Sequence, residues 1–337
     1  MKVLVTGGNG FVGRDICKYL VSKGVDVRSL DLQSTEGLAG VESLQGDILD
    51  EATVKRAVEG VQRVIHTAAV VPIRKSGKKY LQVNAEGTRL VLGAAISAGV
   101  THFTYMSSSA VYGLDGQDGG ASAPTIAPNP MDEYGRSKLE GERICRSHRA
   151  EIGLGILRPR TILGPGRLGI FSLLFDRVAA GKDIFTLGAG DRPLQLIALD
   201  DVTHLTAECS LKQSDGTFNL GGFDPRTMRE TLEGLCAFAQ TGSKVRTLPA
   251  LPLKVILRTL DQLQLSPFAS WHYETLNQAM SLNTSLTIAK LGSCKTGSVQ
   301  ALLNSYTSYA SNPSQMKNSF DKYTHREAAK PGIFRWF

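Results

Sequence analysis

Along residues 1–160, short apolar runs alternate with longer stretches whose apolar positions recur every three or four residues. Unbroken apolar runs read as strands buried on both faces, and the 3.6-residue recurrence reads as helices packed by one side. The pattern predicts strands at Lys2–Thr6, Val25–Leu30, Val64–His66, His102–Met106 and Leu154–Leu157. It predicts helices at about Phe11–Lys23, Glu51–Glu59, Tyr80–Ala98 and Glu133–Arg149. The connecting steps are short, as βαβ crossovers require. The expected architecture is therefore α/β, a doubly wound parallel sheet with helices on both faces. Residues 113–131, rich in Gly, Pro, Ser and Asp, read as a loop.

After Pro159 the alternation weakens into short strands and turns, Gly216–Leu220 among them, and a mixed C-terminal region. This divides the chain into a first domain over 1–160, a substrate-binding region over 161–312 interleaved with it, and a basic tail over 313–337. Residues 244–260 carry four basic and no acidic side chains on an apolar frame. They read as a helix whose apolar side packs on the body. No internal repeat or low-complexity tract interrupts the chain.

Composition narrows the class. The 337 residues are 42% hydrophobic and 20% charged, enough for a sizeable core. No stretch approaches the apolar length of a membrane span. Lys2 is followed at once by Val3-Leu4-Val5 and then glycines, unlike a secretory leader, so a cytoplasmic protein is expected. Five scattered cysteines form no C-x-x-C pair and no ligand spacing with the six histidines, so we expect reduced thiols and no metal. The net charge of +7 comes without a run of five Lys/Arg, which argues against a nucleic-acid partner and leaves a small-molecule substrate.

The candidate chemistry begins at the first strand, which runs into Gly7-Gly8-Asn9-Gly10-Phe11-Val12-Gly13. In Gly-x-x-Gly-x-x-Gly between strand and helix, Gly7 permits the tight turn, Gly10 lets backbone approach a pyrophosphate, and Gly13 lets the helix pack on the sheet. The helix start then offers N–H groups and a positive dipole end to the phosphates. Asp31, at the end of the second strand, suits the ribose hydroxyls and repels a 2′-phosphate. No arginine follows it directly, which favours NAD over NADP, although Arg14 and Arg28 lie near in sequence. Gly46-Asp47-Ile48 follows an expected third strand. Asp47 there could accept from the adenine amino group while Ile48 packs on the ring.

Tyr134 and Lys138 are four residues apart on one face of a helix. An ammonium beside a phenol favours the phenolate, which fits the phenol for proton exchange with an alcohol or ketone.

In order and spacing these motifs resemble the extended short-chain dehydrogenase/reductase superfamily of NAD-dependent epimerase/dehydratase type. The likeness runs through Thr6–Gly13, Gly46–Ile48, Val64–Ala69, Val83–Thr88, Tyr105–Gly113, Tyr134–Lys138 and Leu157–Pro159, and spans roughly residues 1–222. It implies a Rossmann-type NAD-binding first domain. It implies that Tyr134 moves the hydroxyl proton, that Lys138 holds the nicotinamide ribose and acidifies Tyr134, and that Ser108 hydrogen-bonds the substrate oxygen. Phe11, Val12, Ala68, Ala69, Asn84, Arg158 and Pro159 join the glycines, Asp31, Asp47, Ile48, Tyr134 and Lys138 on the cofactor side. Ser109, Phe171 and Arg192 join Ser108 on the substrate side. By analogy the resemblance also implies a homodimer through the Tyr80–Ala98 and Glu133–Arg149 helices.

The expected activity is hydride transfer between NAD and a secondary alcohol or ketone on a small or partly apolar substrate. Ser108-Ser109-Ala110 stands where 4,6-dehydratases carry Thr-Asp-Glu, which argues against dehydration. The alternative is an NAD-dependent sugar-nucleotide 4-epimerase acting on a UDP-sugar. It is disfavoured because residues 268–290 hold no arginine for a diphosphate. A non-catalytic dinucleotide sensor is a third reading.

Overall fold

The computed structural model describes residues 1–34, 37–72, 76–113, 125–165, 171–249 and 281–311. Seven strands form a wholly parallel sheet: β1 (Lys2–Thr6), β2 (Asp26–Asp31), β3 (Val41–Gln45), β4 (Arg63–His66), β5 (His102–Met106), β6 (Gly153–Pro159) and β11 (Gly216–Leu220). Their spatial order is β11-β6-β5-β4-β1-β2-β3. The order reverses direction at β1, and in such sheets ligands bind outside the carboxyl ends of the strands beside that point. The expected Rossmann-type α/β architecture is the one the chain adopts.

Helices cover both faces. On one, α2 (Glu51–Val58), α4 (Thr88–Ser97) and α5 (Glu133–Ser147) pack over Leu4, Val64, Phe103 and Ile156. On the other, α1 (Phe11–Ser22) places Ile16, Cys17 and Leu20 against Val3, Val5 and Val27. Asp50 caps α2 by accepting from the Ala52 and Thr53 N–H groups, and Asp132 caps α5 through the Gly135 N–H at 2.7 Å. A carboxylate at each helix start offsets unsatisfied N–H groups and suits the positive dipole end.

The expected helix Tyr80–Ala98 is one rod with a defect in it. A single α turn, α3 (Lys79–Leu81), passes into a π-helical segment (Gln82–Gly87) and then into α4. A π turn takes carbonyls out of the α ladder. Here the Thr88 hydroxyl donates to the carbonyl of Asn84 at 2.7 Å. The periodicity of the apolar residues alone does not reveal such a one-residue insertion.

Beyond β6 the chain builds a second lobe from two-stranded pieces. β7 (Thr161–Leu163) pairs with β10 (Leu196–Ala198), β8 (Ile184–Leu187) with β13 (Val245–Leu248), and β9 (Pro193–Leu194) with β12 (Arg226–Thr227). α6 (Phe171–Ala179), α8 (Met228–Ala239) and α10 (Ser298–Ser311) enclose their core of Leu163, Phe175, Leu196, Leu235 and Leu302. Between these pieces the chain returns to the large sheet with α7 (Leu199–Leu211), which meets α1 where Tyr19 Oη lies 2.9 Å from His204 Nδ1, and with β11. A short α9 (Ser285–Lys290) lies against β11. Part of the expected helix over 244–260 is strand β13 instead, its residues paired with β8; residues 250–260 and the tail over 313–337 lie outside the described residues. No helix among the described residues is long and apolar enough to cross a membrane. Cys17, Cys145, Cys209 and Cys236 are buried, Cys294 is partly so, and none is in a disulfide.

One polar contact fixes α5 on the sheet. Glu142 and Arg158 have side chains only 0% and 1% exposed. Arg158 donates through Nε and Nη2 to the two carboxylate oxygens, at 2.8 and 2.6 Å. The Ser107 hydroxyl donates to Oε1 at 2.6 Å, and Arg146 reaches Oε2 from the rim at 3.1 Å. Burial alone would raise the Glu142 carboxyl, but Arg158, with Ser107 and Arg146, outweighs it and holds the group below its ordinary value. Removing one partner of a buried pair strands the other charge. Glu142→Ala is therefore expected to cost about 3–5 kcal/mol in urea unfolding. A change under about 1 kcal/mol, the scale of an exposed pair, would contradict this role.

Candidate active site

The glycine turn is closed to side chains. Gly7 sits at φ +70°, and a Cβ there would lie 2.8 Å from Ala68 Cα. A Cβ on Gly13 would lie 2.1 Å from the Gly7 carbonyl oxygen, and one on Gly10 3.0 Å from the same atom. Backbone blocks these positions, and backbone cannot rotate away. α1 starts at Phe11 with no side-chain cap from Gly10, and Phe11 and Gly13 turn inward while Val12 is half-buried. The Asp31 carboxylate is held against the turn: its Oδ2 accepts from the Asn9 N–H at 3.0 Å and its Oδ1 from Gln33 at 3.1 Å. Arg28 points elsewhere, to Glu42 and to the carbonyls of Arg56, Ala57 and Glu59 at the end of α2. Arg14 donates to the Asn9 side chain at 2.8 Å. Asp47 is exposed and closes its own turn with the Leu49 N–H, whereas Ile48 is buried in the core against Gly87.

Next to the turn, β4 ends at His66 and the chain continues into half-buried Ala68 and Ala69. Asn84, in the π segment, grips this stretch. Its Oδ1 accepts from the Val70 N–H at 2.7 Å, and its Nδ2 donates to the Val70 carbonyl at 3.0 Å and to Ser137 Oγ at 2.9 Å. The Ser137 hydroxyl in turn donates to the carbonyl of Tyr134. His66 extends the seam, with Nδ1 2.7 Å from Thr6 Oγ1 and Nε2 3.1 Å from Thr88 Oγ1. Burial, aided by the nearby Lys138 charge, lowers His66 to about 3, so the ring is neutral at ordinary pH.

Tyr134 and Lys138 lie in the first two turns of α5. Tyr134 is partly exposed and sets its ring edge-on to Tyr80 at 6.0 Å. Lys138 is buried, with Nζ 4.9 Å from the centre of the Tyr105 ring. Burial brings its ammonium down to about 8, opposed by Cys145 and Glu142. The same first turn touches the loop that follows β5: a Cβ on Gly135 would lie 2.7 Å from the carbonyl of Ala110.

That loop sorts its three serines. Ser107 is committed to Glu142, and Ser109 accepts from Arg160 Nη1 at 3.2 Å; both are buried. Ser108 is the accessible one and caps the short 3-10 helix Ser109–Tyr112 through the Ala110 N–H. Arg158, expected on the cofactor, turns its guanidinium toward Glu142 and over the Tyr112 ring, because its place on β6 faces α5. Pro159 ends β6 beside Leu220. Phe171 and Arg192 are not part of this cluster. Phe171 packs with Phe175 in the second lobe, and Arg192 is exposed just ahead of β9. Glu142, His66, Thr88 and Arg160 carry much of the polar order here and were not singled out from the sequence. Glu142 was legible in part, since 134, 138 and 142 share one helix face.

A Rossmann-type parallel sheet with a close-packed glycine turn at the end of its first strand is the fold of a dinucleotide-dependent enzyme of the short-chain dehydrogenase/reductase kind. The chain belongs to the NAD dependent epimerase/dehydratase family, whose profile it matches over residues 3–221. NAD is the cofactor, and the chain is an enzyme of the oxidoreductase or epimerase type. It is 35% identical over 314 residues to the uncharacterized protein y4nG of Sinorhizobium fredii, covering 92% of this chain and 78% of that protein. It is 29% identical over 251 residues to the 2-alkyl-3-oxoalkanoate reductase of Stenotrophomonas maltophilia, covering 70% and 75%. It spans only 52–59% of the length of several sterol and steroid enzymes that it also matches. In fold it is similar to the UDP-glucuronic acid 4-epimerase of Bacillus cereus, with TM-score 0.73, 22% identity, and coverage of 94% and 99%.

Two outcomes are expected from this geometry. Gly13→Ala, which forces a methyl against the Gly7 carbonyl, loses at least tenfold in NAD affinity by calorimetry; unchanged affinity would mean the turn does not hold the pyrophosphate. Lys138 gives a pH signature. Its pKa falls from 10.5 in the unfolded chain to about 8 in the folded one, so its contribution is full above 10.5 and is lost as pH falls to 8. The stability of wild type relative to Lys138→Met, followed by urea unfolding of the cofactor-free protein, should rise with pH across that window. A flat difference would place the ammonium in water.

Proposed function

We propose that this chain is an NAD-dependent oxidoreductase that interconverts a secondary alcohol and a ketone, with Ser108, Tyr134 and Lys138 as its catalytic residues. The observation that carries this reading is the meeting of the first turn of α5 with the accessible Ser108 loop at the carboxyl ends of β5 and β6. NAD, when bound, supplies the hydride acceptor. Gly7, Gly10 and Gly13 admit its pyrophosphate, Asp31 takes the ribose hydroxyls, and Ala68 and Ala69 flank it. Ser108 donates a hydrogen bond to the substrate oxygen. Tyr134 takes the hydroxyl proton as the hydride leaves the carbinol carbon, and returns it in the reverse direction. Lys138 orients the nicotinamide ribose and steadies the Tyr134 phenolate. A placed proton-transfer group of this kind contributes about 10²–10⁴-fold.

The name of the oxoalkanoate reductase denotes a ketone substrate, which supports the redox reading. The likeness to the 4-epimerase is a likeness of fold, and an epimerase would use the same Tyr134 with hydride returned to the other face. Incubation with NAD and panels of secondary alcohols or UDP-sugars separates the readings. Net NADH from an alcohol supports the oxidoreductase, an isomerised sugar without net NADH supports the epimerase, and neither supports a sensor. In the active assay Tyr134→Phe is expected to lower kcat by at least 10²-fold. Turnover within about threefold of wild type would remove Tyr134 from the proton transfer.

A further inference from the structure

Arg160 follows Pro159 at the carboxyl end of β6 and is 7% exposed. Its backbone N–H continues the pairing with β11 through the Leu220 carbonyl at 2.8 Å. Its Nη1 donates to Ser109 Oγ at 3.2 Å, while Nε is buried without a partner among the described residues. No carboxylate among the described residues lies within ion-pair distance of it. Arg158, two residues earlier, has Glu142 across two short bonds. The two arginines are alike in burial and unlike in compensation.

A buried guanidinium with no counter-charge is costly, and a buried N–H without an acceptor adds to the cost. Burial draws Arg160 down to about 10, which leaves it charged at neutral pH. A structural role would be served by a neutral side chain that bonds Ser109. What a cation adds in this place is attraction for an anion. The place is specific: Ser109 adjoins Ser108, the accessible serine of the proposed reacting centre.

We propose that Arg160 is a substrate-binding residue that receives a carboxylate, so that the substrate is a hydroxy acid or its keto acid. This rests on the oxidoreductase reading above. With Nη1 on Ser109 and Nε enclosed, Nη2 is the guanidinium nitrogen left to meet a carboxylate through a charge-assisted hydrogen bond. One guanidinium balances one negative charge, which favours a carboxylate over a phosphate carrying nearly two. Ser109 holds the guanidinium in orientation, and the carboxylate fixes the carbinol carbon relative to Ser108 and Tyr134.

The test uses the full chain loaded with NADH, so that a hydroxy substrate binds without turning over. It is titrated by calorimetry with 3-hydroxybutyrate, 3-hydroxydecanoate and the methyl ester of each. Wild type is expected to bind at least one acid tenfold or more tighter than its ester. Arg160→Met should erase that preference and leave ester affinity within threefold, and Arg160→Lys should regain part of it. Inorganic phosphate at equal concentration should not displace the acid. Wild type that binds neither acid, or no more tightly than the esters, overturns the proposal, and that measurement needs no variant. So does a preference that survives Arg160→Met, an equal loss of acid and ester in that variant, or displacement by phosphate. The oxidoreductase reading fails separately: it fails if no alcohol yields NADH, an outcome that leaves the acid-over-ester binding preference intact.

Discussion

A carboxylate buried between a helix and two strand ends sets the geometry of this molecule. Glu142 takes hydrogen bonds from Arg158 on β6, from Ser107 just past β5, and from Arg146 one turn along its own helix. Three elements therefore meet at one charged group with its acceptors filled. Such a pair adds little net stability over an apolar core, because desolvation offsets the attraction. Its effect is on position. Helix α5 has one rotation and one height at which this carboxylate is satisfied, and Tyr134 and Lys138 ride on the same face of the same helix.

The neighbouring polar seam acts in the same way on the cofactor side. Thr6 at the end of β1, His66 at the end of β4, Thr88 and Asn84 in the broken helix, and Ser137 on α5 form a chain of side-chain contacts. His66 is kept neutral by burial, so it can accept at one nitrogen and donate at the other. The π segment releases the Asn84 carbonyl to Thr88 and lets the Asn84 amide clamp Val70. The glycine turn and the first turn of α5 are thus held by one continuous set of bonds. Arg160 stands out against this order, since it is buried like the others and has no anionic partner among the described residues.

The sheet, its strand positions to within a residue or two, and the covering helices were legible from the spacing of apolar residues. The glycine turn was legible as well, because its geometry needs glycine at fixed offsets and the flanking strand and helix are local. Membership in the family followed from the order of short motifs. Less legible were the break in the Tyr80–Ala98 helix, the strand at 245–248, and the roles of Arg158 and the three serines. These depend on which side chain from a distant segment arrives opposite.

What the sequence by itself determined is what local chemistry dictates: strand and helix periods, the turn that glycine alone permits, and a tyrosine and lysine brought to one helix face by a four-residue spacing. What only the tertiary structure decided is which polar groups are spent on one another and which are left over. Ser107, Ser108 and Ser109 are chemically equal in the chain, and they part because Glu142 claims one, Arg160 bonds another, and the third remains open. Arg158 and Arg160 part for the same reason. Burial makes an unpaired charge expensive, so the presence or absence of a partner across space, which no local pattern encodes, sets what each residue can do.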